Sequence, residues 1–175
     1  ARADEERGVT IVITGNGKGK STSGFGTVTR AVGHGYKAAV AQFIKGQWDC
    51  GERDLLESHG VPFYVMNTGF TWETQSREVD TQAAAKVWND IKPYLSNSDY
   101  HLVLLDELTY MLSFGYLDED EVIEAIQNRP VNQSVIITGR GAPTKLREAA
   151  DTVSDIKEVK HAYNQGIMER KGVDW

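Results

Sequence analysis

Short runs of apolar, often β-branched residues alternate along this chain with stretches whose apolar positions fall three and four apart. The runs Thr10–Thr14, Ala38–Phe43, Phe63–Met66, His101–Asp106 and Ser134–Thr138 predict strands, and Asp151–Ile156 predicts a sixth. Four of them are almost wholly apolar and do not alternate, as parallel strands covered on both faces do. Helix-like segments separate them. Lys20 to Val32 is one, Leu108–Phe114 a second. In a third, Ala84, Val87, Trp88, Ile91 and Leu95 line one helical face, which Pro93 is expected to end or bend in its last turn. Asp118 and Glu121, three apart, form a capping-box-like pair ahead of the stripe Val122, Ile123 and Ile126. Strand–helix alternation of this kind implies right-handed crossovers and an open, mostly parallel sheet of about six strands with helices on both faces. No repeat, low-complexity tract or linker divides the chain. Residues 1–8 read as a short N-terminal segment and 9–175 as one α/β domain.

In such a sheet, ligands gather at the carboxyl ends of the strands. The first strand ends there in Thr14-Gly15-Asn16-Gly17-Lys18-Gly19-Lys20-Ser21 and opens into a helix. Successive backbone N–H groups of a glycine-rich loop can converge on phosphate oxygens, and the helix N-terminus adds a favourable field. Lys20 supplies a point charge, and the Ser21 hydroxyl can ligate Mg²⁺. The spacing matches the G-x-x-x-x-G-K-[ST] phosphate loop, with Thr14 where the first glycine usually stands. Gln42–Lys45, Asp106-Glu107 and Thr138-Gly139-Arg140 fall at the same ends of their strands.

The strand His101–Asp106 terminates in the carboxylates of Asp106 and Glu107. They can hold Mg²⁺ opposite the phosphate-loop hydroxyl, or cap the helix that follows. Taken alone, that pair points to phosphate hydrolysis. Phe70 and Trp72 put two aromatics two apart in a polar stretch after a strand end, so in an extended segment both rings point one way. They pack into the core, or against a flat apolar ligand or a lid. Trp48 and Arg53 similarly occupy a polar loop that could overhang the site.

The remaining composition mostly excludes. A net charge of −6 without a dense Lys/Arg cluster argues against a nucleic-acid binder. No apolar run approaches the roughly 20 residues of a membrane span. Cys50 is the only cysteine, so no internal disulfide is possible, and a reducing, cytoplasmic setting is expected. His34, His59, His101 and His161 have no metal-ligand spacing, and no Ser/His/Asp or Cys/His nucleophile can be assembled. A triphosphate grip with no protein nucleophile leaves water or a second substrate to attack the nucleotide.

Five ordered motifs narrow that choice: the phosphate loop, Gln42-Phe43-Ile44-Lys45-Gly46, Gly69-Phe70-Thr71-Trp72-Glu73-Thr74, Leu105-Asp106-Glu107-Leu108-Thr109-Tyr110 and Ile137-Thr138-Gly139-Arg140-Gly141. Together they resemble the ATP:cob(I)alamin (corrinoid) adenosyltransferases of the CobA/CobO/BtuR type, from about Glu5 to the C-terminus. The resemblance implies a RecA-like P-loop fold, a homodimer and transfer of the 5′-deoxyadenosyl group of ATP to Co(I), with triphosphate released. By motif, Gly15, Asn16, Gly17, Lys18, Gly19, Lys20, Ser21 and Thr22 would bind ATP, held in reverse so that the ribose carbon faces the corrinoid. Lys20 and Glu107 would be catalytic, and Ser21, Glu107 and Asp106 would serve Mg²⁺. Phe70 and Trp72 would wedge against the lower face of the corrin, displacing the axial base and easing reduction. A flavodoxin-like protein would supply the electron.

Two departures from the family stand out. Ser21 replaces the commoner Thr and keeps the hydroxyl. The segment Ala1–Gly8 is shorter than the N-terminal helix thought to cover a site in relatives, so it reads as a remnant of that lid. A RecA-like ATPase or small kinase releasing ADP, and a non-catalytic carrier of corrinoid or nucleotide, are the competing readings.

Overall fold

The structure, a computed structural model, describes residues 2–44, 49–67 and 76–175. Among these residues six strands, β1 (Thr10–Thr14), β2 (Lys37–Gln42), β3 (Phe63–Val65), β4 (Tyr100–Asp106), β5 (Ser134–Thr138) and β6 (Thr152–Asp155), form one sheet in the order β3-β2-β4-β5-β1-β6. Every pairing is parallel. The helices are α1 (Lys20–Gly33), α2 (Gly51–Ser58), α3 (Arg77–Ile91), α4 (Leu108–Ser113), α5 (Glu119–Gln127) and α6 (Thr144–Ala149).

Alternate residues of the central strands feed two cores. Ile13, Val40, Leu102, Leu104 and Ile136 pack under α1 and α2 against Phe25, Val28 and Leu56. Val12, Ala41, Val103, Leu105 and Ile137 pack under the other helices against Trp88, Ile91, Met111 and Val122. Both faces are therefore dry, which is why these strands read as unbroken apolar runs. Each large side chain so buried contributes roughly 1.5–3 kcal/mol of transfer free energy. β6 differs: all four of its residues are exposed, as befits an edge strand with one neighbour.

Sequence spacing placed most element ends within a residue. α3 stops at Ile91 and tightens into a 3-10 turn over Lys92–Ser96, where Pro93 cannot supply a helical N–H and Leu95 stays buried. The capping box is only half made. Asp118 accepts from the N–H groups of Asp120 and Glu121, but Glu121 turns away to accept from Lys92 and Trp88, tying α5 to α3.

The register matters most for the site. Gln42 lies beside Asp106, and Leu105 beside Ile137, so β2, β4 and β5 end on one level. Thr14, Gln42, Asp106 and Thr138 consequently meet at the carboxyl edge, next to the start of α1. Among the described residues, no helix is long and apolar enough to cross a membrane.

Candidate active site

The loop between β1 and α1 is shaped by its glycines. Gly15 (φ +102°) and Gly19 (φ +117°) adopt left-handed backbone that other residues enter only with strain. A Cβ on Gly17 would lie 2.7 Å from Ile156 Cγ2, so the loop also needs its lack of side chains to pass the segment after β6. Gly17 N–H donates to Ile156 O at 2.8 Å. Thr14, in the place of the usual first glycine, earns its hydroxyl by accepting from Ala142 N–H at 3.1 Å, which fastens the loop after β5 to β1.

Lys20 begins α1, is buried, and folds back to donate from Nζ to Gly17 O at 2.6 Å. Burial lowers the pKa of its ammonium, Glu107 pulls it back up, and Arg140 adds to the lowering. One turn of chemistry away, Ser21 Oγ donates to Asp106 Oδ1 at 2.6 Å. Thr138 Oγ1 donates to the same oxygen at 2.7 Å and accepts from Glu107 N–H at 3.0 Å. The Asp106 carboxyl is fully enclosed. Burial pushes its pKa up, and hydrogen bonds from Ser21, Thr138 and Gln42 oppose that push.

Glu107 is the one non-glycine residue with positive φ among those described, at +59°. That conformation costs on the order of 1–3 kcal/mol and is held only where the surroundings enforce it. It stands at the N-cap position of α4, yet its side chain makes no capping hydrogen bond. The helix-capping reading of this carboxylate therefore fails for Glu107: the backbone turns so that the carboxylate faces the loop side instead. Its Oε2 is buried without a partner. Burial chiefly, and then the Asp106 charge, raise its pKa from 4.5 to about 7, against the pull of Lys20 and Arg140.

A cavity of about 510 Å³ opens beside these groups, lined by Ser21, Thr22, Gln42, Ile44, Asp106 and Glu107. A second, of about 530 Å³, lies on the other flank of the loop against Thr14, Gly15 and Asn16. Lys18 points outward into an ion pair with Asp174 at 2.6 Å. Cys50 borders the first cavity, but burial and the neighbouring Glu52 raise its thiol to about 11, so it is a poor nucleophile at neutral pH. Among the described residues no three His, Cys, Asp or Glu side chains converge as a metal cluster.

The eight loop residues and the two carboxylates expected from sequence thus lie around one edge of the sheet. Phe70, Trp72 and Trp48 lie outside the described residues. Arg53 is on α2 and pairs with Glu57 at 3.7 Å. Sequence put Thr138 and Gln42 at this edge without giving either a role: the Thr138 hydroxyl joins Asp106 to Glu107, and Gln42 Oε1 is buried and unpartnered beside Asp106. The C-terminal Glu169–Trp175 stretch, which borders the cavity, was not placed there at all. A polar residue ending an apolar strand is the signal that marks the first two.

The chain resembles proteins of known class. The family model of the ATP:corrinoid adenosyltransferases BtuR/CobO/CobP matches residues 6–175. The corrinoid adenosyltransferase of Escherichia coli strain K12 is 57% identical over 175 residues, spanning all of this chain and 89% of that protein. The corrinoid adenosyltransferase CobA of Salmonella typhimurium is 55% identical over the same length, again 100% and 89% of the two chains. The Pseudomonas aeruginosa corrinoid adenosyltransferase is 49% identical over 177 residues, 100% of this chain and 87% of its own. By fold, the flagellar accessory protein FlaH of Methanocaldococcus jannaschii superposes with a TM-score of 0.56 at 11% identity, covering 86% of this chain and 71% of that one. Its likeness is one of architecture, a parallel RecA-like sheet. With a family match from residue 6 to the last, and whole-chain identities above one half, this chain belongs to the ATP:corrinoid adenosyltransferases of the BtuR/CobO/CobP family.

Proposed function

We propose that the described edge of the sheet grips the triphosphate of ATP while a reduced corrinoid attacks the ribose. The enzyme is an ATP-dependent corrinoid adenosyltransferase, and the whole-chain family match carries that reading. In the transfer, the Co(I) lone pair forms a bond to C5′. The C5′–O bond breaks, its electron pair leaves on the triphosphate, and cobalt passes formally from Co(I) to Co(III). The nucleophile belongs to the substrate, which accounts for the lack of an activated Ser, Cys or His among the described groups around the cavity.

The protein's part is electrostatic. Negative charge collects on the departing triphosphate, and a preorganised cationic loop stabilises it. Gly15 to Thr22 supply backbone N–H groups and hydroxyls, and Lys20 moves its ammonium from Gly17 O to the phosphates. The donor set suits Mg²⁺. Such an ion takes one or two carboxylates and fills its shell with phosphate oxygens and water. Ser21 donates its hydroxyl hydrogen bond to Asp106, which leaves a lone pair on Oγ available to the ion. Glu107 holds a buried carboxylate oxygen with no protein partner. Ser21 and Glu107 would hold the ion, with Asp106 beside them. Bound there, it would offset charge on the leaving group.

Phe70 and Trp72 take the role the family motif gives them, packing where the lower axial base of the corrinoid would sit. Removing that donor makes Co(II) easier to reduce, and for a one-electron couple about 59 mV is a factor of ten. β3, which precedes Phe70 and Trp72 in the chain, ends at the edge that carries the phosphate loop. A homodimer, a flavodoxin-like electron donor and a cytoplasmic setting complete the reading.

Anaerobic mixing of Co(I) corrinoid with ATP, Mg²⁺ and enzyme tests it. A light-labile alkylcobalt spectrum appearing only with all components supports transfer. An unchanged Co(I) spectrum with intact ATP leaves a carrier.

A further inference from the structure

Asp174 is the only carboxylate paired with a phosphate-loop lysine among the described residues, and it comes from the far end of the chain. It is held firmly. Its Oδ2 accepts from Arg170 N–H at 2.8 Å, and its own N–H donates to Arg170 O at 2.8 Å, closing a turn. Oδ1 is then fixed 2.6 Å from Lys18 Nζ. The side chain of Asp174 is 20% exposed, against 52% for Lys18, so the anion is the anchored partner and the lysine the one free to swing. The same turn borders the 510 Å³ cavity together with Ser21, Asp106 and Glu107. An anchored carboxylate beside a polyanion grip opposes the polyanion. Nothing in the transfer itself calls for it there.

We propose that Asp174 is a displaceable counter-anion of the phosphate loop. It occupies Lys18 when no polyphosphate is bound, competes with bound polyphosphate for that lysine, and hastens departure of the triphosphate product. The inference rests on the reading that Gly15–Ser21 grips triphosphate. Asp174 acts through Lys18 and is a positioning residue.

The test is binding of inorganic triphosphate with Mg²⁺, by calorimetry, to the full chain and its variants. Asp174→Asn keeps an oxygen for the Arg170 N–H and loses only the charge. It should bind triphosphate about fivefold tighter, the upper range for a partly exposed ion pair. The gain should shrink at high salt and vanish in a Lys18→Gln background. Release of the triphosphate product after one turnover should slow in proportion. Asp174→Ser, with the melting temperature of each variant, separates loss of charge from loss of the turn. Equal or weaker triphosphate binding by folded Asp174→Asn overturns the inference, provided Lys20→Ala abolishes binding. If Lys20→Ala binds triphosphate as the parent does, the phosphate-grip reading itself falls.

Discussion

Ser21 and Asp106, on α1 and β4, share a 2.6 Å hydrogen bond in which the serine must be the donor while the carboxylate is ionised. The bond fixes the hydroxyl rotor and leaves a serine lone pair directed away from Asp106. Thr138 donates to the same carboxylate oxygen from β5. Burial raises the pKa of this enclosed carboxyl, and hydroxyl donors on adjoining elements oppose that by favouring its ionised form.

Asp106→Asn should therefore spare the fold and damage the grip. The amide is isosteric and its oxygen can accept from both hydroxyls, but it carries no negative charge to strengthen those bonds or to attract the cation. Affinity for Mg²⁺–nucleotide, read by calorimetry or by Mn²⁺ resonance, should fall about 10- to 100-fold, the range for a group that orients a metal ligand.

Lys20→Ala removes the buried ammonium that we propose moves to the phosphates. Loss of one preorganised charge-stabilising donor costs about 2.7–4 kcal/mol, so the rate of organocobalt formation should drop by about 10²-fold or more. A fall of less than tenfold would show that the charge on the leaving group is carried elsewhere.

Glu107 makes a pH prediction with a definite sign. Its folded pKa of about 7 lies above the ordinary 4.5, so the folded state holds this proton more tightly than the unfolded chain. Between those two values, stability declines as pH rises, and above about 7 the whole penalty, roughly 3 kcal/mol, is present. Without Mg²⁺, Glu107→Gln should melt higher than the parent at pH 8. The gap should close below about pH 4.5, where both side chains are neutral. With Mg²⁺ and nucleotide the order should reverse in activity. The parent's kcat/KM should rise through an apparent pKa near 7, a limb absent from the variant.

Gly139 (φ +140°) sits where a Cβ would overlap Thr109 Oγ1 on α4. Gly139→Ala should destabilise by about 2 kcal/mol or more through strain and collision together. Adding Thr109→Ala should recover only the collision part, because the backbone strain remains. Chemical denaturation of the two single variants and the double measures that coupling.

How much of this could be read from the chain follows from where each signal resides. The strands were legible because both faces are buried, so Leu102–Leu105 and Val135–Ile137 are apolar without interruption. The phosphate loop was legible because its glycines answer a local backbone demand. Once the strands were placed, the meeting of Gln42, Asp106 and Thr138 at one edge followed from parallel pairing. The left-handed Glu107 was not legible. Its φ is imposed by packing around β4 and β5, and glutamate carries no preference for that conformation. The Asp174–Lys18 pair was also out of reach, since the segment after β6 has neither apolar periodicity nor a motif to announce its path. Glu121 shows the limit of pattern alone: it has the spacing of a capping box but spends its carboxylate on Lys92 and Trp88.

Phosphorus NMR of the products of ATP and Co(I) corrinoid tests the central claim most directly. Attack at carbon predicts one inorganic triphosphate for each cobalt–carbon bond formed, with no ADP. ADP and phosphate released without an organocobalt product would contradict it, and would place the attack at phosphorus.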